Sequence, residues 1–383
     1  MAETKGKSNK KFMILSAIGI FMVVDHHTFT AVNLLGDYIP YNSFFMPMFV
    51  FISGYFNKVG PETNLGKYTL KKLRSLLLPY LIISVLVMGF QWLINLIKMG
   101  EIVPWPSGYL LYMLERVITS GSPYGMVIPM WFVITLFATL MVYAIAKKLF
   151  GRIWNSYVMF GIFVILHLVA VYLAKNTTPE ALHWFLIPVK VMFFLPFLEL
   201  GILYREKFEK KHSEMVAGGK LAILFGLLMF NVIRTLYLPN AYDVAFDGLD
   251  ELAGFTSPFI VTPLISSFVG ILFWLTVVEL IGKPFYESRF VNYLSSNTFW
   301  VMGMHILFYN VLNCILLLIT RYIVYLPYFG IEGFQNSEFY FWEIHPNIKL
   351  AYVAVGLLGP LGVKWIYDRV LELIGNKVLK KEK

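Results

Sequence analysis

The chain has 383 residues, 58% of them hydrophobic and only 14% charged, with a mean hydropathy of +0.67. Soluble domains carry roughly 25% charged residues, so this composition excludes an ordinary soluble fold and points to a membrane-embedded chain. A net charge of +9 would suit a nucleic-acid binder, but membrane topology explains where that charge falls, and the single cysteine, Cys314, excludes an intrachain disulfide or a cysteine-built metal site.

In chain order, a polar and basic start precedes an apolar run from Phe12, and no small-residue cleavage site follows it. The run therefore reads as an uncleaved first span. A helix needs about 20 apolar residues to cross a hydrocarbon core of about 30 Å. Runs of that kind predict about ten spans, at approximately 12–31, 41–57, 73–97, 127–147, 154–174, 182–204, 220–238, 256–281, 294–324 and 349–374. The stretch from Ile102 through Pro104 to Pro129 carries the weakest signal and suits an interfacial or re-entrant helix. With the amino terminus inside, only Lys98, Arg116, Lys175, Lys190, Arg234, Arg321 and Lys349 of the 32 basic residues escape the cytoplasmic ends. The outer loops collect acids instead: Asp243, Asp247, Asp250, Glu251, Glu332, Glu338 and Glu343. This positive-inside bias predicts an all-α integral membrane protein with about ten transmembrane helices and both termini cytoplasmic. No repeat or hydrophilic insertion interrupts the pattern. Residues 1–383 therefore read as a single transmembrane domain, with basic cytoplasmic tails at 1–11 and 375–383.

The stretch from Ser16 to Phe56 organises the rest. Its first apolar run closes on Asp25, His26 and His27. His27 lies 16 residues beyond Lys11, about 24 Å along a helix, in the outer half of the membrane. Ionisable residues at such depth are expensive and mark function. Neighbouring helical residues diverge by about 100°, so His26 and His27 cannot serve one partner. One of them reads as a general base in a polar cavity; the structural alternative is a polar cap on the span.

Farther along, Gly54 and Gly19 suit close helix approach. Lys71 and Arg74, three apart and joined by Lys72, form a cationic cluster at the inner mouth. Arg as a fork and Lys as a point charge fit the phosphates of a soluble anionic donor, although headgroup anchoring accounts for the same residues. Pro79 is placed to kink this helix. Among the later spans, Lys190 needs an acidic or aqueous partner. Glu199 reads either as a partner for a cavity cation or as an inner-interface carboxylate. His305 reads either as a second polar lining group or as a hydrogen bond between helices. No P-loop, dinucleotide fingerprint, HExxH helix or GxSxG elbow occurs in a supporting context.

Several of these stretches resemble the membrane acyltransferase 3 family of multi-pass O-acyltransferases. Gly19 to His27 is similar to the family's first span, and that alignment sets the functional histidine on His27 rather than His26. Met46 to Tyr55, a Phe-rich run into Ser53, Gly54 and Tyr55, is similar to its second span. Lys71-Lys72-Leu73-Arg74 followed by Leu78-Pro79-Tyr80 resembles the basic motif opening the third. Trp131-Phe132-Val133, Phe194 to Phe197 with Gly201, and Ser295 to His305 follow in order. Two positions depart from the pattern: Ser16 stands where the family commonly has an arginine, and Lys71 where the basic motif has one.

The resemblance implies a transferase that moves an acyl group, most often acetyl from cytoplasmic acetyl-CoA, to a hydroxyl of a glycan or lipid-linked sugar in the cell envelope. It implies His27, with His26 and Asp25 beside it, as the catalytic group, and Arg74, Lys71 and Lys72 as the donor's phosphate site. It implies no metal and no nucleic acid, and a multi-pass protein of the bacterial cell membrane. Ser53, Tyr55, Trp131, Lys190, Glu199 and His305 are the expected cavity lining, with Glu199 or the neighbours of Lys190 expected to orient the imidazole. A secondary transporter or flippase would also bury ionisable residues along a pathway, and a non-catalytic scaffold is the remaining alternative. Label transfer from radioactive acetyl-CoA separates the enzyme from both.

Overall fold

The computed structural model describes residues 2–100, 107–121, 125–177, 183–237, 245–246, 252–253, 259–336 and 344–381. The outer-loop acids other than Glu332 lie outside the described residues, as do Ile102 and Pro104. The described chain is helical apart from loops and one antiparallel pairing of Ala245–Phe246 with Leu252–Ala253. Helices are what an apolar environment requires, because each backbone donor and acceptor must find its partner within the segment.

The first helix, α1, runs Ala2–His26, and α2 Phe45–Phe56. Helix α3 (Leu65–Lys72) passes through a π-helical turn at Leu73–Leu77 into α4 (Leu78–Met99). A short α5 (Tyr109–Thr119) and a 3-10 turn at Gly125–Met130 precede α6 (Trp131–Phe150) and α7 (Ser156–Asn176). Helix α8 (Leu186–Leu203) enters a second π turn, Tyr204–Phe208, and continues as α9 (Glu209–Glu214). Then come α10 (Ala217–Tyr237), α11 (Thr262–Ile281), α12 (Arg289–Ser296), α13 (Thr298–Tyr322), α14 (Ile331–Asn336) and α15 (Lys349–Lys381). Side-chain caps start several of them: the Asn64 side chain accepts from Lys67 N, Asn155 from Tyr157 N and Val158 N, and Ser288 from Val291 N.

Among the described residues, eight helices are long and apolar enough to cross a membrane. With α1 and the shorter apolar helix Phe45–Phe56, the set reaches the expected ten. The expected boundaries need correction in three places. Helix α1 stops at His26 rather than 31, and α2 begins at Phe45 after a 3-10 turn, Tyr41–Ser43, that follows Pro40. The run expected at 294–324 is broken at Asn297 into α12 and α13, with α12 packed along α1. The weak stretch before Pro129 contains α5, which exposes Leu110, Leu111, Leu114 and Ile118 and buries Met113 and Arg116.

Two groups of helices pack on either side of α1. In one, α8 is almost wholly buried against α2, α6 and α7. The α2–α8 crossing is tight because each helix offers a glycine: a Cβ on Gly54 would stand 2.0 Å from Leu198 O, and one on Gly201 2.1 Å from Phe51 O. That fits the close approach expected of Gly54. In the other group, α13 packs on α4 and α15. Helix α1 touches α2 and α11 on one side and α12, α13 and α15 on the other. Its end is thereby delivered to α13.

One end of this bundle is basic. There Lys10 pairs with Glu287, and the buried Lys11 meets Glu279 at 2.5 Å and Glu209 at 3.4 Å. The later part of α15 belongs to the same end, since Tyr293 donates to Leu361 O (3.3 Å) and Lys364 lies over the Trp300 ring. The opposite end holds His27, with Lys349 Nζ on Phe29 O (3.3 Å).

Candidate functional site

Local chemistry explains how α1 ends and where it leaves His27. Asp25 is fully buried, and its carboxylate accepts from Val32 N (2.9 Å) and Asn33 N (3.0 Å). Its own carbonyl accepts from Thr28 Oγ1 (2.8 Å) and Thr30 N (2.9 Å). The loop so gathered has four non-glycine residues in the left-handed region, Phe29 (φ 54°), Thr30 (50°), Asn33 (50°) and Leu35 (58°). Left-handed residues without glycine's freedom cost about 1–3 kcal/mol each and persist only where their surroundings hold them. The Asp25 carboxylate is the group that holds this loop. The structure gives Asp25 that task, while His26 and His27 carry the side chains that face other elements.

His27, half-buried, meets fully buried His305 of α13: His27 Nδ1 and His305 Nε2 are 2.7 Å apart. The two ring planes lie within 17° of each other, with centroids 4.8 Å apart, so the rings meet edge to edge through these nitrogens. The other His305 nitrogen, Nδ1, donates to Val301 O at 2.9 Å. One turn farther along α13, Tyr309 Oη donates to Val24 O at 2.8 Å, fixing the last turn of α1 against the same helix. His26 diverges, as helical geometry requires; its ring lies 5.7 Å from that of His27 and 5.8 Å from Phe45.

The other expected lining residues fall into separate neighbourhoods. Buried Glu199 accepts from Tyr143 Oη (2.6 Å) and Trp154 Nε1 (3.2 Å). It therefore does not orient His27; the element that reaches the imidazole is α13 through His305. Buried Lys190 donates to Ser120 O (2.9 Å), and its ammonium lies 4.6 Å from the Trp131 ring centroid. The partner expected to be acidic or aqueous is thus in part a carbonyl and an aromatic face. Ser53 returns its hydroxyl to Phe49 O (2.8 Å) in its own helix. Tyr55 stacks on Phe12 at 3.8 Å and donates to Glu209 at 3.0 Å, at the basic end.

The cationic cluster lies at that basic end too. Lys71 lies in the last turn of α3 and Arg74 in the π turn, both exposed, while Lys72, which closes α3, is half-buried with its ammonium 5.5 Å from the Tyr68 ring centroid. π turns are rare and concentrate at functional sites. The irregularity expected from Pro79 lies just ahead of that residue, in this turn. Lys71 and Arg74 form no ion pair among the described residues, so both charges are available to an anion. Among the same residues no three His, Cys, Asp or Glu side chains converge as a metal site.

Sequence reasoning named His305 but missed Val301 and Tyr309 beside it, and the residues that hold the other groups in place. Val301, His305 and Tyr309 recur every four residues on one face of α13, a legible signal once the helix is known. The partners of Glu199 and the clasp around Glu279 join residues far apart in sequence and left no local signal.

A family profile described as an acyltransferase domain, that of the acyltransferase 3 family, matches residues 14–331. No curated protein and no solved structure matches the chain.

Proposed function

We infer the reaction from one premise: the chain belongs to the acyltransferase 3 family and is a membrane acyltransferase. The donor is proposed to be acetyl-CoA, approaching the basic end from the cytoplasm, with both chain termini on that side. The acceptor is proposed to be a hydroxyl of a cell-envelope glycan or lipid-linked sugar, and the site of action the bacterial cell membrane. The observation that carries this reading is the His27–His305 contact at 2.7 Å, an imidazole pair held where α1 meets α13.

In this mechanism Arg74 and Lys71 hold the donor's phosphates, for which a planar fork and a point charge suit the phosphate oxygens. The acceptor hydroxyl gives its proton to His27 as its oxygen attacks the thioester carbonyl. The tetrahedral centre collapses with rupture of the carbon–sulfur bond. The departing thiolate takes the proton back from the imidazolium, leaving an ester, free CoA thiol and the neutral histidine. No acyl-enzyme is required, and His26 and Asp25 have no proton to move.

The test supplies radiolabelled acetyl-CoA to purified protein in detergent, together with an envelope glycan fraction. Transfer of label to glycan hydroxyls is expected. Protein that binds the fraction yet leaves all label on CoA contradicts the reading and favours a transporter or scaffold.

A further inference from the structure

The His27–His305 contact is one link of a longer chain of hydrogen bonds whose direction is fixed from its far end. A carbonyl oxygen only accepts, so the bond between His305 Nδ1 and Val301 O requires the proton on Nδ1. A neutral imidazole has a single N–H, so His305 Nε2 carries a lone pair. The His27 Nδ1 atom 2.7 Å away must then be the donor. With its proton on Nδ1, His27 has its basic lone pair on Nε2. The tautomer of His27 is thus set by a main-chain carbonyl on another helix, transmitted through His305.

We propose that His305 is a positioning residue that holds His27 in the Nδ1-protonated tautomer, with Nε2 as the base. This rests on the reading of His27 as the base. An isolated neutral histidine favours the opposite tautomer, so this arrangement needs a partner to hold it. His305 is suited to that task. It is fully buried, its ring plane lies within 17° of that of His27, and its own helix grips α1 again at Val24 through Tyr309. The same logic operates where a carboxylate holds a catalytic histidine; there the wrong tautomer costs about 10⁴ in turnover. Here the acceptor is a neutral imidazole, which fixes orientation but adds no negative charge, so a smaller dependence is expected, ~10²-fold.

The experiment uses the full chain in detergent micelles with ¹⁵N-labelled histidine, and His27 signals assigned by their loss in His27→Asn. Nitrogen shifts and couplings report which ring nitrogen bears the proton. Native protein should show His27 protonated on Nδ1. His305→Leu removes the acceptor and should shift His27 towards the Nε2-protonated form. Its turnover of radiolabelled acetyl-CoA with the glycan fraction should fall ~10²-fold, with donor affinity unchanged. His305→Gln, which returns an oxygen acceptor near the Nε2 position, should restore the native tautomer and most of the turnover. His305→Ala, which likewise lacks the acceptor, should shift the tautomer in the same way and is the test where the leucine variant does not fold. A His27 tautomer unchanged in the leucine or alanine variant overturns the proposal, as does a shifted tautomer with full turnover while His27→Ala is inactive. A shifted tautomer with His27→Ala still active overturns the base reading alone and leaves the hold of His305 on His27 standing.

Discussion

The two π turns at the basic end carry an arginine at the same place, second in Leu73–Leu77 and second in Tyr204–Phe208, and the two arginines do opposite things. Arg205 is half-buried and donates to Tyr55 O (2.7 Å) and Asn57 O (2.6 Å), closing the carbonyl end of α2. Just beyond it, α9 joins a clasp in which Glu279 is reached by Lys11 at 2.5 Å, Ser213 Oγ at 2.8 Å and Lys220 at 3.5 Å. Arg74 has no such neighbours among the described residues and stands exposed beside Lys71. One turn spends its charge on the fold, and the other presents its charge to solvent. Local geometry alone does not make a π turn a binding site; what matters is whether the fold has already used its donors.

The sharpest way to break this contrast is at the clasp. Glu279→Leu leaves Lys11 and Lys220 buried without that carboxylate, and removing one partner of a buried ion pair costs about 3–5 kcal/mol. Thermal unfolding in detergent should show that loss, and an unshifted midpoint would remove the clasp from the account. Arg205→Ala comes next. It strips two charge-assisted bonds from the end of α2 and should cost about 1.5–3 kcal/mol of stability while acetyl-CoA affinity holds. Arg74→Ala should do the reverse. Stability should stay within about 0.5 kcal/mol, as for an exposed site, while donor affinity falls roughly tenfold or more on the loss of charged hydrogen bonds. Unchanged acetyl-CoA affinity, read by titration calorimetry, would return Lys71 and Arg74 to headgroup anchoring.

The contrast also shows what a sequence makes legible in a protein of this kind. Span positions were readable because about 20 apolar residues are needed to cross the bilayer, whatever their neighbours. The ends of spans were less so. Helix α1 stops at His26 because buried Asp25 turns to the amides of Val32 and Asn33, a contact no hydropathy profile encodes. Neither π turn announces itself, since one extra residue in a turn leaves composition unchanged. At the candidate site, depth singled out Asp25, His26 and His27, and 100° geometry separated the two histidines. Pairing was the illegible part. Glu199, the expected orienting group, is held by Tyr143 and Trp154, and the His27 partner comes from a helix some 280 positions along the chain, His305.

The central claim is that His27, and not its neighbour, is the group that takes the acceptor's proton. The direct measurement is transfer of label from acetyl-CoA to the glycan fraction by native protein, His27→Ala and His26→Ala, each checked for an unchanged unfolding midpoint. A general base contributes about 10²–10⁴-fold, so His27→Ala should fall by that factor while His26→Ala keeps a substantial share of native turnover. Turnover that survives in His27→Ala, or is lost in His26→Ala alone, would contradict the account.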